Sequence, residues 1–302
     1  MHIIGWTSTN AFGKLRMATN TGKIKAILID LSGTLHVDDD PTSNAIQALQ
    51  KLRSINDIQL RFVTNTTKES KETLLQRLHR IGFSSISKDD MFTSLSAAVQ
   101  YVKTNDLKPF YLLTEDAKKD FGEQTTENSS AATMTTTTTA AATESNDDGN
   151  ENSVVVGLAP DKFVYETINE AFRVLMKENS KLIAVHEGKY FKRGDGLAVG
   201  PGCFTRGLEY ASGKTATVIG KPNPYFFNCA IPEGISPHEC CMIGDDINDD
   251  IFGAQNVGMK GILVKTGKYI DNIEAKYSNK PTKIAESFAD AVDWLISEQF
   301  VV

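Results

Sequence analysis

Short apolar runs rich in β-branched residues recur along the chain, at 25–30, 59–64, 110–114, 153–157, 181–185, 216–220, 240–244 and 261–264. Between them lie stretches with the spacing of amphipathic helices, among them 43–54, 70–81, 94–104, 163–178 and 287–299. Near-continuous apolar strands separated by such helices predict an α/β fold with a parallel sheet. In sheets of that kind ligands sit beyond the carboxyl ends of the strands. The residues that follow each run are therefore where chemistry is expected.

Two segments break the pattern. Residues 124–152 include Thr135-Thr-Thr-Thr-Thr139 and Ala140-Ala-Ala142 and contain no Lys, Arg or aromatic side chain. A segment with so little to bury cannot offset its ordering entropy, and it is predicted to be a disordered insert. Residues 1–22 read as a disordered tail, with Met17 as a second candidate start. Their acid-free composition, with Lys14 and Arg16, also resembles an organellar transit peptide.

Composition narrows the function classes. The net charge of −6 argues against nucleic acid as the partner. No run of about 18 apolar residues exists to span a membrane. The four cysteines, Cys203, Cys229, Cys240 and Cys241, form neither a disulfide framework nor a zinc pattern, and they suit a reducing, cytoplasmic interior.

Four polar groups stand at strand ends, in order. The first run closes on Asp30-Leu-Ser-Gly-Thr-Leu35, where a carboxylate can act as nucleophile and Gly33 lets the backbone approach a ligand. The second closes on Thr64-Asn65 and a helix start, a combination suited to an anion. A later run ends in Gly220-Lys221. Another ends in the acidic cluster Asp245, Asp246, Asp249 and Asp250. A carboxylate cannot approach a phosphate dianion unless a hard cation and further donors cancel charge. Asp30 and the acidic cluster can hold Mg²⁺, and Thr64, Asn65 and Lys221 can hold the phosphate.

These motifs, together with Asp195-Gly-Leu-Ala-Val-Gly-Pro-Gly202 and Ile262-Leu-Val-Lys-Thr-Gly-Lys-Tyr269, resemble the haloacid dehalogenase-like hydrolase superfamily with the large α/β cap of the NagD type. The resemblance implies a Rossmann-like core at 23–102 and 213–302 and an inserted cap at 103–212. It implies Asp30 as the nucleophile that forms an aspartyl-phosphate and binds Mg²⁺. Ser32 would offer its backbone carbonyl to the metal, and Asp245 would be a further metal ligand. Asp250 would act through metal-bound water or Lys221, with Asp246 and Asp249 as substitutes. Thr64, Asn65, Ser32, Gly33 and Lys221 would bind the phosphoryl group. Caps of this type often pair two subunits, which implies a homodimer.

One position departs from the family pattern. Ser32 stands where the usual Asp-x-Asp supplies the acid that protonates the leaving group. Losing a general acid–base costs roughly 10²- to 10⁴-fold. The loss matters least for leaving groups that need little protonation, such as those of pyrophosphate or a phosphorylated amino acid like phosphohistidine or phospholysine. His36 is a candidate replacement donor; the other reading is a loop residue away from the phosphate. The segment from His186 to Lys192, with Lys189 and Tyr190, either faces the site or is a solvated loop. Two functions follow: a Mg²⁺-dependent phosphohydrolase for small phosphorylated substrates, or a catalytically weak binding protein on the same fold. A phospho-acceptor switch would gain nothing from a large cap.

Overall fold

A computed structural model describes residues 23–122, 150–193, 196–298 and 300. The expected tail and positions 124–149 of the expected insert lie outside the described residues. In chain order the strands are β1 (Ala26–Asp30), β2 (His36–Val37), β3 (Asp40–Pro41), β4 (Gln59–Thr64), β5 (Met91–Thr93), β6 (Pro109–Leu112) and β7 (Ser153–Val156). They continue as β8 (Lys181–Ala184), β9 (Tyr190–Arg193), β10 (Gly196–Val199), β11 (Thr217–Val218), β12 (Cys240–Gly244), β13 (Lys260–Val264) and β14 (Lys283–Ala285).

Six strands form a parallel sheet in the order β14-β13-β12-β1-β4-β5. Every residue of β1 and β12 is buried, as a parallel sheet covered on both faces requires. Alternation along β1 assigns Ile27 and Ile29 to one apolar layer and Ala26 and Leu28 to the other. The first layer is closed by helices Ala45–Arg53, Lys71–Ile81 and Phe288–Ser297, through Leu49, Leu52, Leu74, Leu78, Phe288 and Leu295. The second is closed by Ser94–Thr104 and Pro224–Ala230, through Leu95, Ala98, Phe226 and Phe227. Helix starts follow local rules: Ser70 and Ser287 accept backbone N–H groups as caps, and Thr93 forms a capping box with Ser96.

A separate parallel sheet, β11-β8-β7-β6, carries the cap. One of its faces packs on helices Tyr165–Leu175 and Gly202–Ser212 through Val154, Val156, Leu182, Ala171 and Leu208. The other face contributes Val155, Ile183 and Val185 to the same apolar cluster that covers the core sheet. Cap and core are thus joined by continuous packing. No described helix is long and apolar enough to cross a membrane.

Three expectations need correction. Strand β11 lies past residue 212, where the cap was expected to end, because Thr217 and Val218 pair with Ile183 and Ala184 of the cap sheet. The end of the expected insert is ordered: Asn152 donates its N–H to the Lys108 carbonyl, and its side-chain Oδ1 accepts the Lys108 N–H at 2.8 Å. That exchange aligns β6 with β7. Finally, the expected loop after His186 runs into an antiparallel hairpin of β9 and β10. Its sequence signal is Gly194-Asp-Gly196 between two apolar stretches.

Candidate active site

Because β1, β4 and β12 are parallel and adjacent, their carboxyl ends bring Asp30, Thr64 and Asp245 to one edge of the core sheet. All three are buried. Lys221 arrives from the cap, two residues beyond Ile219, and is buried between two carboxylates. Its Nζ lies 2.5 Å from Asp30 Oδ1 and 2.6 Å from Asp250 Oδ1. Burial alone would lower the Lys221 ammonium, but the charges of Asp250 and Asp30 outweigh it and hold the group above its ordinary value.

Asp250 is turned into the site by a π-helical segment, Ile247–Phe252. The Asp246 carbonyl accepts from both Asp250 N–H and Ile251 N–H, and Asp250 Oδ2 accepts the Asp246 N–H at 3.1 Å. Asp246 caps the segment, its Oδ1 accepting from the N–H groups of Asn248 and Asp249. Asp249 stands apart from the triad, its carboxyl pushed up to about 6 by burial and the neighbouring Asp246 charge. Oxygen atoms of Asp30, Asp245 and Asp250 lie within 4.8 Å of one another.

That triad has more negative charge than Lys221 can neutralise. Burial, followed by the Asp30 charge, pushes the Asp245 carboxyl up to about 7, and burial raises Asp250 as well. Three buried, closely spaced carboxylates offer the hard oxygen donors that Mg²⁺ prefers, and a divalent cation would relieve their repulsion. The residues therefore fit the ion that the sequence implies.

The loops around the triad are tightly packed. Gly33 has φ +95°, and a Cβ there would fall 2.1 Å from Asp245 Oδ2, so only glycine fits. Its N–H is committed to the His36 carbonyl at 2.7 Å and its carbonyl accepts the Thr266 hydroxyl. Gly33 was expected to bind phosphate; its backbone groups are instead used within the fold. The Asn65 side chain engages the Lys221 backbone. Its Nδ2 donates to the Lys221 carbonyl, and its Oδ1 accepts the Lys221 N–H, both at 2.9 Å. The side chain clasps Lys221 across 156 residues. Thr64 Oγ1 accepts the Thr66 N–H and donates its own proton to Thr66 Oγ1 at 3.1 Å, so the hydroxyl must turn from Thr66 to reach an anion. Ser32 is exposed, and its hydroxyl has no hydrogen-bond partner among the described residues.

The histidines separate cleanly. His36 is buried, and its Nδ1 must donate to the Asp38 carbonyl, 2.7 Å away. Burial lowers its pKa, so the ring is neutral and Nε2 carries no proton. That state does not supply the acid that Ser32 lacks. His186 joins cap to core. Its Nδ1 accepts the Gly188 N–H at 3.1 Å, so the ring's proton is on Nε2, 3.3 Å from Thr67 Oγ1. Thr67 also accepts the Leu158 N–H of the cap. Burial, and then the Lys268 charge, push His186 down to about 4.

Sequence reasoning left Thr67, Thr266 and Lys268 unassigned. Lys268 donates its backbone N–H to Asp245 Oδ2 at 2.6 Å. The signal was available, since Lys265-Thr-Gly-Lys268 follows β13 as Leu31-Ser-Gly-Thr34 follows β1.

A haloacid dehalogenase-like hydrolase model matches residues 27–127, and a HAD-hydrolase-like model matches residues 218–291. The Bos taurus haloacid dehalogenase-like hydrolase domain-containing protein 2 is 46% identical over 282 residues, covering 93% of this chain and 98% of that protein. The chain belongs to the haloacid dehalogenase-like hydrolase family. Among other hydrolases of this family, the Homo sapiens phospholysine phosphohistidine inorganic pyrophosphate phosphatase is 33% identical, covering 90% of this chain and 94% of its own length. The fold matches a crystal structure of 4-nitrophenylphosphatase from Thermotoga maritima with a TM-score of 0.76 at 22% identity, over 90% of this chain and 98% of that one.

Two outcomes follow from this geometry. Lys221→Met leaves Asp30 and Asp250 buried without their cation, and in EDTA it is expected to cost about 3–5 kcal/mol in urea unfolding. A loss under about 1 kcal/mol would mean that the ion pair is not what holds the site. For His186 the folded pKa lies below the unfolded value of 6.5, so the stability it contributes is present above pH 6.5 and is lost as pH falls through about 4. His186→Gln is expected to remove about 2 kcal/mol of that acid sensitivity. An unchanged stability profile between pH 6.5 and 4 would contradict it.

Proposed function

We propose that this hydrolase is a Mg²⁺-dependent phosphatase acting through an aspartyl-phosphate on Asp30, and that it favours leaving groups that depart without protonation. The observation that carries this reading is the buried Lys221 ammonium between Asp30 and Asp250, beside a third carboxylate on Asp245. Asp30, Asp245 and the Ser32 carbonyl would hold Mg²⁺, with Asp250 behind them. When bound, the ion supplies the positive charge that lets a carboxylate meet a phosphate dianion.

In the first half-reaction an Asp30 carboxylate oxygen forms a bond to phosphorus as the bond to the leaving group breaks. The electron pair stays on the departing atom. Lys221 keeps Asp30 in place and adds charge where the equatorial oxygens become more negative. Asn65 positions Lys221 through its backbone. The Thr64 hydroxyl, at the end of β4, donates to a phosphoryl oxygen. In the second half-reaction water attacks phosphorus, the bond to Asp30 breaks, and the proton given up by water leaves on the phosphate product. The packed cap limits bulk water around the aspartyl-phosphate.

Ser32 decides the leaving group. Its hydroxyl, exposed and unpartnered, has too high a pKa to protonate an alkoxide. Pyrophosphate and phosphoramidates avoid that need. The 33% identical relative is named for phospholysine, phosphohistidine and inorganic pyrophosphate, which supports the same preference here. Ser32 is also the one observation that favours a weakly active binding protein.

Phosphate release in Mg²⁺ and in EDTA separates the two. Wild-type protein is expected to hydrolyse pyrophosphate or phosphoramidates in Mg²⁺ only, and Asp30→Asn to be inactive. Ser32→Asp is expected to raise turnover of alkyl phosphomonoesters by about 10²-fold, the usual worth of a restored acid. Residual wild-type activity that persists in Asp30→Asn would sink the nucleophile assignment. No turnover of any compound by wild type, with activity gained in Ser32→Asp, would establish the binding-protein reading.

A further inference from the structure

The loop after β13 is fastened to the loops after β1 and β12. The Thr266 hydroxyl donates to the Gly33 carbonyl, and the Lys268 N–H donates to Asp245 Oδ2 at 2.6 Å. Between them Gly267 adopts φ +53°, and a Cβ there would fall 2.4 Å from Gly33 Cα and 2.1 Å from Asp245 Oδ2. The backbone of residue 268 is therefore held in place against the carboxylate triad.

Its side chain behaves differently. The Lys268 side chain is 67% exposed, and its Nζ is 3.4 Å from Asp246 Oδ2, a long and loose ion pair. Asp246 already uses its other oxygen to cap the π-helical segment. On its other side the Lys268 charge reaches His186, at the carboxyl end of a cap strand. Lys268 thus carries a positive charge beside the carboxylate cluster, held only by that loose contact. Lys221, by contrast, is buried and fully engaged by two carboxylates.

A phosphoryl group attacked by Asp30 points its leaving group away from β1, toward the cap. We propose that Lys268 receives that leaving group as an anion, and that the site selects a diphosphate over a phosphoramidate. This rests on the phosphatase reading above and narrows it. When the bridging P–O bond breaks, its electron pair stays on the departing phosphate oxygen, and Lys268 stabilises that charge without transferring a proton. A charge-assisted contact of this kind takes over part of what the acid missing at position 32 would do. A phosphoramidate releases an amine, which gains nothing from an ammonium beside it.

Binding tests this without turnover. Asp30→Asn protein in Mg²⁺ is titrated calorimetrically with inorganic pyrophosphate and with inorganic phosphate, alone and combined with Lys268→Met or Lys268→Arg. Lys268→Met keeps the backbone N–H that Asp245 uses, so the loop retains its anchor. It is expected to weaken pyrophosphate binding about tenfold and phosphate binding less than about twofold, while Lys268→Arg stays within about threefold on both. Equal weakening of the two ligands, no weakening of either, or absence of pyrophosphate binding overturns the assignment. If wild-type protein proves inactive on every substrate, the phosphatase reading fails, and the binding difference still decides the role of Lys268.

Discussion

Lys221 reaches out of the cap and is buried between Asp30, at the end of the first strand, and Asp250, in the π-helical segment after β12. Three distant parts of the chain meet in that contact. Two carboxylates and an ammonium out of water are costly unless each is paired, so the surrounding loops are built to keep the pairing. Asn65 fastens the Lys221 backbone, the Asp246 N–H holds the far oxygen of Asp250, and Gly33 lets Asp245 approach within contact of the loop after β1. The site still has a deficit of positive charge, which raises Asp245 and Asp250 and makes a divalent cation its natural complement.

The cap follows from the same constraint. Its sheet shares an apolar cluster with the core, and Thr67 links the phosphate-side loop to Leu158 and His186. His186 is locked as the neutral ring by the Gly188 N–H on Nδ1. A cap packed this way is held over the core by its static fit.

Much of this was legible in the chain. Asp30, Thr64 and Asp245 sit where a parallel sheet must put them, because strand-end position is a property of local pattern. The α/β fold could be read in the same way, whereas the division into core and cap rested on the family resemblance. What could not be read are hydrogen bonds made across long separations. Gly33 has the right chemistry to bind an anion, but its N–H is taken by His36 and its carbonyl by Thr266, and the Asn65 side chain is engaged by the Lys221 backbone. Lys221 follows a strand as expected, yet that strand belongs to the cap sheet, and the Asn65 clasp together with the Asp30 and Asp250 ion pairs ties it to the core. Lys268 obeyed the strand-end rule and was overlooked among motif residues that had no assigned role. The β9–β10 hairpin was not read because its Gly194-Asp-Gly196 signal follows Lys189-Tyr-Phe-Lys-Arg193, which has no plain strand alternation.

The central claim is that chemistry here depends on the leaving group rather than on a protein acid. The most direct measurement is the variation of kcat/KM across a series of aryl and alkyl phosphates of increasing leaving-group pKa, in saturating Mg²⁺. A steep, continuous fall with leaving-group pKa is predicted, because no side chain at position 32 can protonate the departing oxygen. A flat dependence would show that a proton donor operates in this site and would contradict the account.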